Sequence, residues 1–306
     1  MESDVLETLS VIRELGDLDP ASVSIERLGG LTNRNYKIDC PQGCFVLRLA
    51  GEGTGDYIDR EAEYYNASVA SRAGVNAEII YFDVHNGTML CRYIDNSVTM
   101  DIERFRDIEA IRRTGRAFRQ LHQCGENFRG RFELFGQIDQ YLKVIQELGA
   151  TVPDGYERVQ RDAEQVRTAL SAHVLPNVPC HCDPMVENCI DTGNTMYIID
   201  FEYAGNNDPM WDLGDLSVEG AFDDNQDHEF LVAYFGREPS AFDAGRMVMY
   251  KAMCDLLWTL WGVVQHANDN PADDFWGYAV GRLERCKELM ASGDFVIHLD
   301  AVKRGP

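Results

Sequence analysis

His181-Cys182-Asp183-Pro184-Met185-Val186-Glu187-Asn188, followed by Ile199-Asp200-Phe201-Glu202, brings two carboxylates and an amide into one short, loop-rich stretch. Phosphoryl transfer needs a carboxylate to orient and deprotonate the attacking hydroxyl, and hard oxygen ligands for magnesium on the phosphates. A loop carrying Asp183 and Asn188, beside a strand ending at Asp200, supplies both. Asp183 is expected to be the base, with His181 beside it, and Asn188 and Asp200 the metal ligands. Ile198 and Ile199 read as buried strand residues that aim Asp200 at a cleft. Taken singly, His181 suits a core, Asp183 a turn before Pro184, and Asn188 a loop. Their order and spacing together point to a site.

Outward from this stretch the chain divides in two. Val5, Leu9 and Ile12 mark one face of an opening helix that stops near Gly16. Residues 23–28, 35–39 and 45–49 read as strands, the last two joined by the Pro41-Gln42-Gly43 turn. A helix over 58–73 is ended by Gly74. Strands at 79–83 and 88–93 follow, joined by His85-Asn86-Gly87. After Asp95 the pattern is helical, at 108–121, 141–148, 156–170 and 247–265, with a strand at 196–201. Ser240 with Asp243 forms a capping box, Asn270 before Pro271 starts a further helix, and Gly293 stops one. The expectation is an α+β fold with a small antiparallel lobe over 1–95 and a larger helical lobe over 96–306, enclosing a cleft.

Composition narrows the partners. The 306 residues carry 51 acidic against 28 basic side chains, a net charge of −23. Such a surface repels phosphate backbones, so nucleic acid and anionic membranes are poor partners, and a triphosphate needs local cations. No uninterrupted apolar run reaches membrane-spanning length, and the N-terminus lacks a signal-peptide pattern. An odd count of nine cysteines suits free thiols in a cytoplasmic protein. Cys180, Cys182 and Cys189 flank His181 without the spacing of a zinc site and read as buried thiols.

The stretches His181–Asn188 and Ile199-Asp200-Phe201-Glu202-Tyr203-Ala204-Gly205, with Asp212-Leu213-Gly214 beyond, resemble the choline/ethanolamine kinase family. That family is related to aminoglycoside phosphotransferases and has a protein-kinase-like bilobal fold. The resemblance covers about residues 28–290 and is weakest over 96–178. It departs at Pro184, where relatives often carry a bulky apolar residue.

The resemblance implies a role for several further residues. Leu28-Gly29-Gly30-Leu31-Thr32-Asn33 is similar to the family's nucleotide loop, with Gly29 and Gly30 admitting phosphate and Thr32 and Asn33 offering donors. Arg48 stands where many kinases place a phosphate-binding lysine. Glu61 is the expected partner of that cation, with Glu63 the alternative. The backbones of Arg92 and Ile94 would hold adenine. Trp258, Trp261 and Tyr278 would wall an aromatic pocket for an ammonium group, with Glu219, Glu202 and Asp215 adding negative charge. The implied activity is ATP- and Mg2+-dependent phosphorylation of a small cationic amino alcohol, choline first and ethanolamine second. An aminoglycoside kinase and a nucleotide-binding pseudokinase are the alternatives. Relatives often form homodimers, so a homodimer is expected.

Overall fold

The apolar face Val5, Leu9 and Ile12 is buried in the computed structural model, which describes residues 2–29, 33–51, 55 and 58–306. It belongs to α1 (Glu2–Val11) and the short turn after it, which Gly16 closes at a φ of 63°. Five strands follow: β1 (Ser24–Arg27), β2 (Arg34–Cys40) and β3 (Gly43–Leu49), then, after helix α2 (Arg60–Arg72), β4 (Ile79–Phe82) and β5 (Met89–Arg92). They form one antiparallel sheet in the order β1-β2-β3-β5-β4. Alternation along β2 and β3 turns Tyr36, Ile38, Phe45 and Leu47 onto α1, making a small core.

Asp59 caps α2 by accepting the Ala62 N–H at 3.0 Å, and Gly74 ends it in the left-handed region at φ 77°. Although α2 precedes the second lobe in sequence, its Ala67, Val69 and Ala70 enter the larger core. The Val75 carbonyl also accepts the Ile198 N–H at 2.7 Å. This helix therefore ties the sheet to the stretch that carries Asp200.

The larger part comprises β6 (Val98–Thr99), α3 (Ile108–His122), α4 (Leu134–Glu147), α5 (Tyr156–Ala172), β7 (Val178–Cys180), β8 (Cys189–Asp191), β9 (Met196–Ile198) and β10 (Gly205–Asn207). Then come α6 (Pro209–Glu219), α7 (Asp224–Phe235), α8 (Ala241–Ala267), α9 (Phe275–Ala291) and α10 (Gly293–Arg304). Two short sheets, β6-β8-β9 and β10-β7, bracket residues 181–188 and 199–204. The architecture is the expected α+β arrangement.

Several boundaries differ for local reasons. α4 begins at Leu134, ahead of the expected 141, because the Glu133 side chain accepts the Gly136 N–H. The strand expected to run to 201 stops at Ile198, since Asp200 adopts a left-handed φ of 69° that no strand continues through. Asn270 starts no helix: its side chain accepts the Ala272 N–H in a turn, and Asp274 caps α9 instead. Gly293 opens α10 rather than ending α9, because Ser292 caps α10. The Ser240 capping box is present at the head of α8.

α8 is the one helix among the described residues long and apolar enough to cross a membrane by length and composition. Here 83% of its most apolar window is buried in the protein, against α6, α9, α10 and α4. It is a core helix.

Candidate active site

The loop after β7 is shaped by Asp212 on α6. Its two oxygens accept the backbone N–H groups of His181 at 2.7 Å and Cys182 at 2.9 Å, and His122 Nε2 lies 3.0 Å away. Trp211 Nε1–H donates to the Cys182 carbonyl at 3.0 Å. These bonds hold Cys182 at a φ of 70°, a conformation that costs a non-glycine residue about 1–3 kcal/mol. The strained residue stands directly before Asp183, so the loop reaches the cleft by a sharp turn fixed from α6.

His181 is fully buried against Phe201, with ring centroids 4.9 Å apart. Its Nε2 lies 2.8 Å from the Ile199 carbonyl, so that nitrogen carries the proton. Burial pushes its pKa down, so the ring is neutral. His181 thus joins the Asp183 loop to the Asp200 turn.

Both carboxylates of the cleft are held far from their usual range. Asp183 is pushed up to about 7 by burial first, then by the negative charges of Glu219 and Asp200. Asp200 is likewise pushed up to about 7 by burial and by Glu202, with Arg48 pulling the other way. The Asp200 side chain is 36% exposed, yet its Oδ1 is buried with no hydrogen-bond donor. Asn188 turns its Nδ2 to the Asp183 carbonyl at 3.3 Å, which leaves its amide oxygen as an acceptor. Hard oxygens lacking N–H partners fit a divalent cation such as magnesium.

Arg48, near the end of β3, faces this turn from the sheet. It lies 2.5 Å from Glu63 Oε1, 3.1 Å from the Gly87 carbonyl, and 3.6 Å from both Asp200 and Glu202. Arg60 adds a second guanidinium, 2.6 Å from Glu63 and 2.7 Å from Glu202. Two cations and three carboxylates thus form one largely buried network spanning α2, β3 and the Asp200 turn.

Beyond Asp183, α6, α8 and α9 converge. Trp261 meets Trp258 edge to face at 6.3 Å and Tyr278 at 5.6 Å. Arg282 lies over the Tyr278 ring at 4.8 Å, 2.5 Å from Glu219 and 3.1 Å from Asp255.

Comparison with known proteins identifies the family. The model of the phosphotransferase enzyme family matches residues 24–247. A solved choline/ethanolamine kinase family protein from Mesorhizobium loti is 49% identical, with full coverage of both chains and a TM-score of 0.91. The chain belongs to the choline/ethanolamine kinase family of phosphotransferases. It is therefore an enzyme that transfers a phosphoryl group to an alcohol, on a protein-kinase-like fold. The crystal structure of choline kinase LicA from Streptococcus pneumoniae is 28% identical over 95% of this chain and 99% of that one, with a TM-score of 0.79. Ethanolamine kinase 2 of Mus musculus is 26% identical, covering 93% of this chain and 81% of its own length.

In this choline/ethanolamine kinase family member, the structure brings Asp183, Asn188, Asp200 and Arg48 near one another and corrects several other expectations. Glu63, not Glu61, pairs with Arg48. Glu63 shares a helix face with Arg60 and turns to β3, whereas Glu61 points to solvent, 74% exposed and 3.8 Å from Arg129. Glu202 does not face the acceptor side, because the guanidiniums of Arg60 and Arg48 hold it. His181, expected among the catalytic groups, is a buried tie between loops. The Arg92 N–H is already committed to the Glu78 carbonyl at 2.8 Å, and the Ile94 carbonyl accepts from Ser97. Only part of that expected adenine-binding backbone is therefore free. Asn33 uses its Oδ1 on the Gly51 N–H at 3.2 Å, and the Gly29 carbonyl accepts from Asn35. Gly30 and Thr32 lie outside the described residues.

Sequence reasoning assigned no role to Asp212, Arg60 or Arg282. The Asp-Leu-Gly triplet and the Arg-Glu-Ala-Glu run were the signals for the first two. Arg282 lies four residues after Tyr278 on α9, a spacing that brings the guanidinium over the ring one turn back.

Proposed function

We propose that the protein transfers the γ-phosphate of ATP, with Mg2+, to the hydroxyl of a small cationic amino alcohol. Choline, with ethanolamine second, is the acceptor pair suggested by Trp258, Trp261 and Tyr278. The observation that carries the reading is geometric: His181 ties the Asp183 loop to the Asp200 turn, and Arg48 lies 3.6 Å from Asp200. A base with a pKa near 7 is matched to taking a proton from a hydroxyl at neutral pH.

In this mechanism Asp183 holds the acceptor hydroxyl and accepts its proton as the oxygen attacks. Arg48, fixed by Glu63, would face the phosphate charge, and the sequence from Gly29 to Asn33 is the expected phosphate-binding segment. Asn188 and Asp200 would hold magnesium, which when bound neutralises charge on the phosphates. The backbone near Ile94 would receive adenine. Residues 1–95 act as the nucleotide lobe and 96–306 as the catalytic and acceptor lobe. The surface charge supports a cytoplasmic protein that binds neither nucleic acid nor membrane, and the family resemblance supports a homodimer.

The test is ADP release with saturating magnesium-ATP across choline, ethanolamine, thiamine and aminoglycosides. Turnover with the amino alcohols is expected. Background rates with all of them would overturn the substrate assignment, and magnesium-independent turnover would overturn the metal assignment.

A further inference from the structure

Asn66 lies at the middle of α2 and is fully buried. Asparagine favours a helix interior less than alanine, and burying its amide is costly without partners. Here every partner is a backbone group. Oδ1 accepts the Arg129 N–H at 2.7 Å, and Nδ2 donates to the Arg129 carbonyl at 3.1 Å and the Ala204 carbonyl at 2.8 Å. An N–H against the oxygen and two carbonyls against the nitrogen fix the orientation of the amide.

Asn206 of β10 does the same to the preceding residue. Its Oδ1 accepts the Phe128 N–H at 3.0 Å, and its Nδ2 donates to the Phe128 and Gly130 carbonyls at 2.6 and 2.9 Å. Two asparagines thus grip residues 128–130, between α3 and α4, one from α2 and one from the segment after Asp200.

The place of Asn66 along α2 gives its grip a second consequence. Arg60, Glu63, Asn66 and Ala70 recur at helical spacing on the buried stripe of α2. Glu63 holds Arg48, Arg60 holds Glu202, and Ala70 enters the larger core. Asn66 is the joint between the charged and the apolar halves of that stripe. Its bond to Ala204, with the bond from the Ile198 N–H to the Val75 carbonyl at 2.7 Å, fastens the α2 region to both flanks of the Asp200 turn.

We propose that Asn66 is a positioning residue for phosphoryl transfer: by bonding the Arg129 and Ala204 backbones it sets where α2 lies, and so where Glu63 presents Arg48 beside Asp200. Asn66 touches no reactant and acts through Glu63. This rests on the reading above that Arg48 faces the nucleotide phosphates.

The experiment titrates magnesium-ATP and adenosine, which lacks phosphates, into wild type, Asn66→Ala, Glu63→Gln, the double variant and Asn206→Ala. Asn66→Ala and Glu63→Gln should each weaken magnesium-ATP binding at least about tenfold and adenosine binding by no more than about threefold. The double variant should bind magnesium-ATP within about threefold of Glu63→Gln alone, because both changes act on one contact. Asn206→Ala loosens the same loop without touching α2, so its melting temperature should fall as in Asn66→Ala while magnesium-ATP binding stays within about threefold of wild type. Full multiplication of the two losses in the double variant, or an equal loss of magnesium-ATP binding in Asn206→Ala, would overturn the proposal. So would unchanged magnesium-ATP binding in Asn66→Ala where Glu63→Gln weakens it. If Glu63→Gln binds magnesium-ATP as wild type does, the role of Arg48 fails and this inference with it. Should Asn66→Ala fail to fold, Asn66→Asp keeps the acceptor for the Arg129 N–H and removes both donated bonds, and magnesium-ATP binding as tight as wild type in that variant would also overturn the proposal.

Discussion

Arg48 Nη2 and Glu63 Oε1 lie 2.5 Å apart between β3 and α2, with both side chains almost wholly buried. Removing Glu63 leaves Arg48 and Arg60 sharing Glu202 and Asp200 in a buried network, at a cost of up to about 3–5 kcal/mol. Glu63→Gln is therefore expected to lower the melting temperature and reduce kcat/KM for the nucleotide at least about tenfold. Glu61→Gln, at an exposed position, should change neither by more than about twofold. Melting curves and steady-state kinetics on the two variants check the register of α2 directly.

Asp183→Asn should reduce kcat by about 10²–10⁴ while leaving nucleotide binding within a few fold, because it removes the proton acceptor alone. Single-turnover rates with a parallel nucleotide-binding titration separate the two effects.

The same substitution should stabilise the metal-free protein at alkaline pH. Asp183 is raised from its ordinary 3.8 to about 7, so the folded state resists its charge. The penalty is absent below the unfolded pKa, grows through the interval and is complete above about 7, at most about 4 kcal/mol. Asp183→Asn is expected to melt a few degrees above wild type at pH 8, with the gap closing toward pH 4. A constant or inverted gap in thermal scans would refute the raised pKa.

Asp212→Asn weakens the anchor that holds the His181 and Cys182 amides, with a stability loss of at least about 2 kcal/mol. Released from its left-handed turn, the loop should position Asp183 poorly, so kcat is expected to fall about 10²-fold with both KM values little changed. Kinetics and melting curves measured together test this.

Periodicity and turn residues made most of the architecture legible, because Val5, Leu9, Ile12 and the alternating strands respond to burial alone. Asp183, Asn188, Asp200 and Arg48 were legible from their order along the chain. Glu63 was ambiguous, since both glutamates follow Arg60 closely and only the packed orientation of α2 separates them. Glu202 was misread. Its partner Arg60 lies 142 residues away in sequence, and nothing local predicts it. Asn270 and Gly293 carried correct turn chemistry, but Asp274 and Ser292 nearby made the actual caps.

α8 bears on how the chain is made. Its most apolar stretch passes for a membrane span by length and composition, and two of the helices that cover it, α9 and α10, are encoded after it. A nascent chain therefore presents α8 to the cell before its covering helices exist, at a point when exposed apolar surface invites association. Release of residues up to Arg304 completes that cover, so the helical lobe must close late in synthesis. Deletions that remove α10 should yield insoluble protein even with every catalytic residue intact.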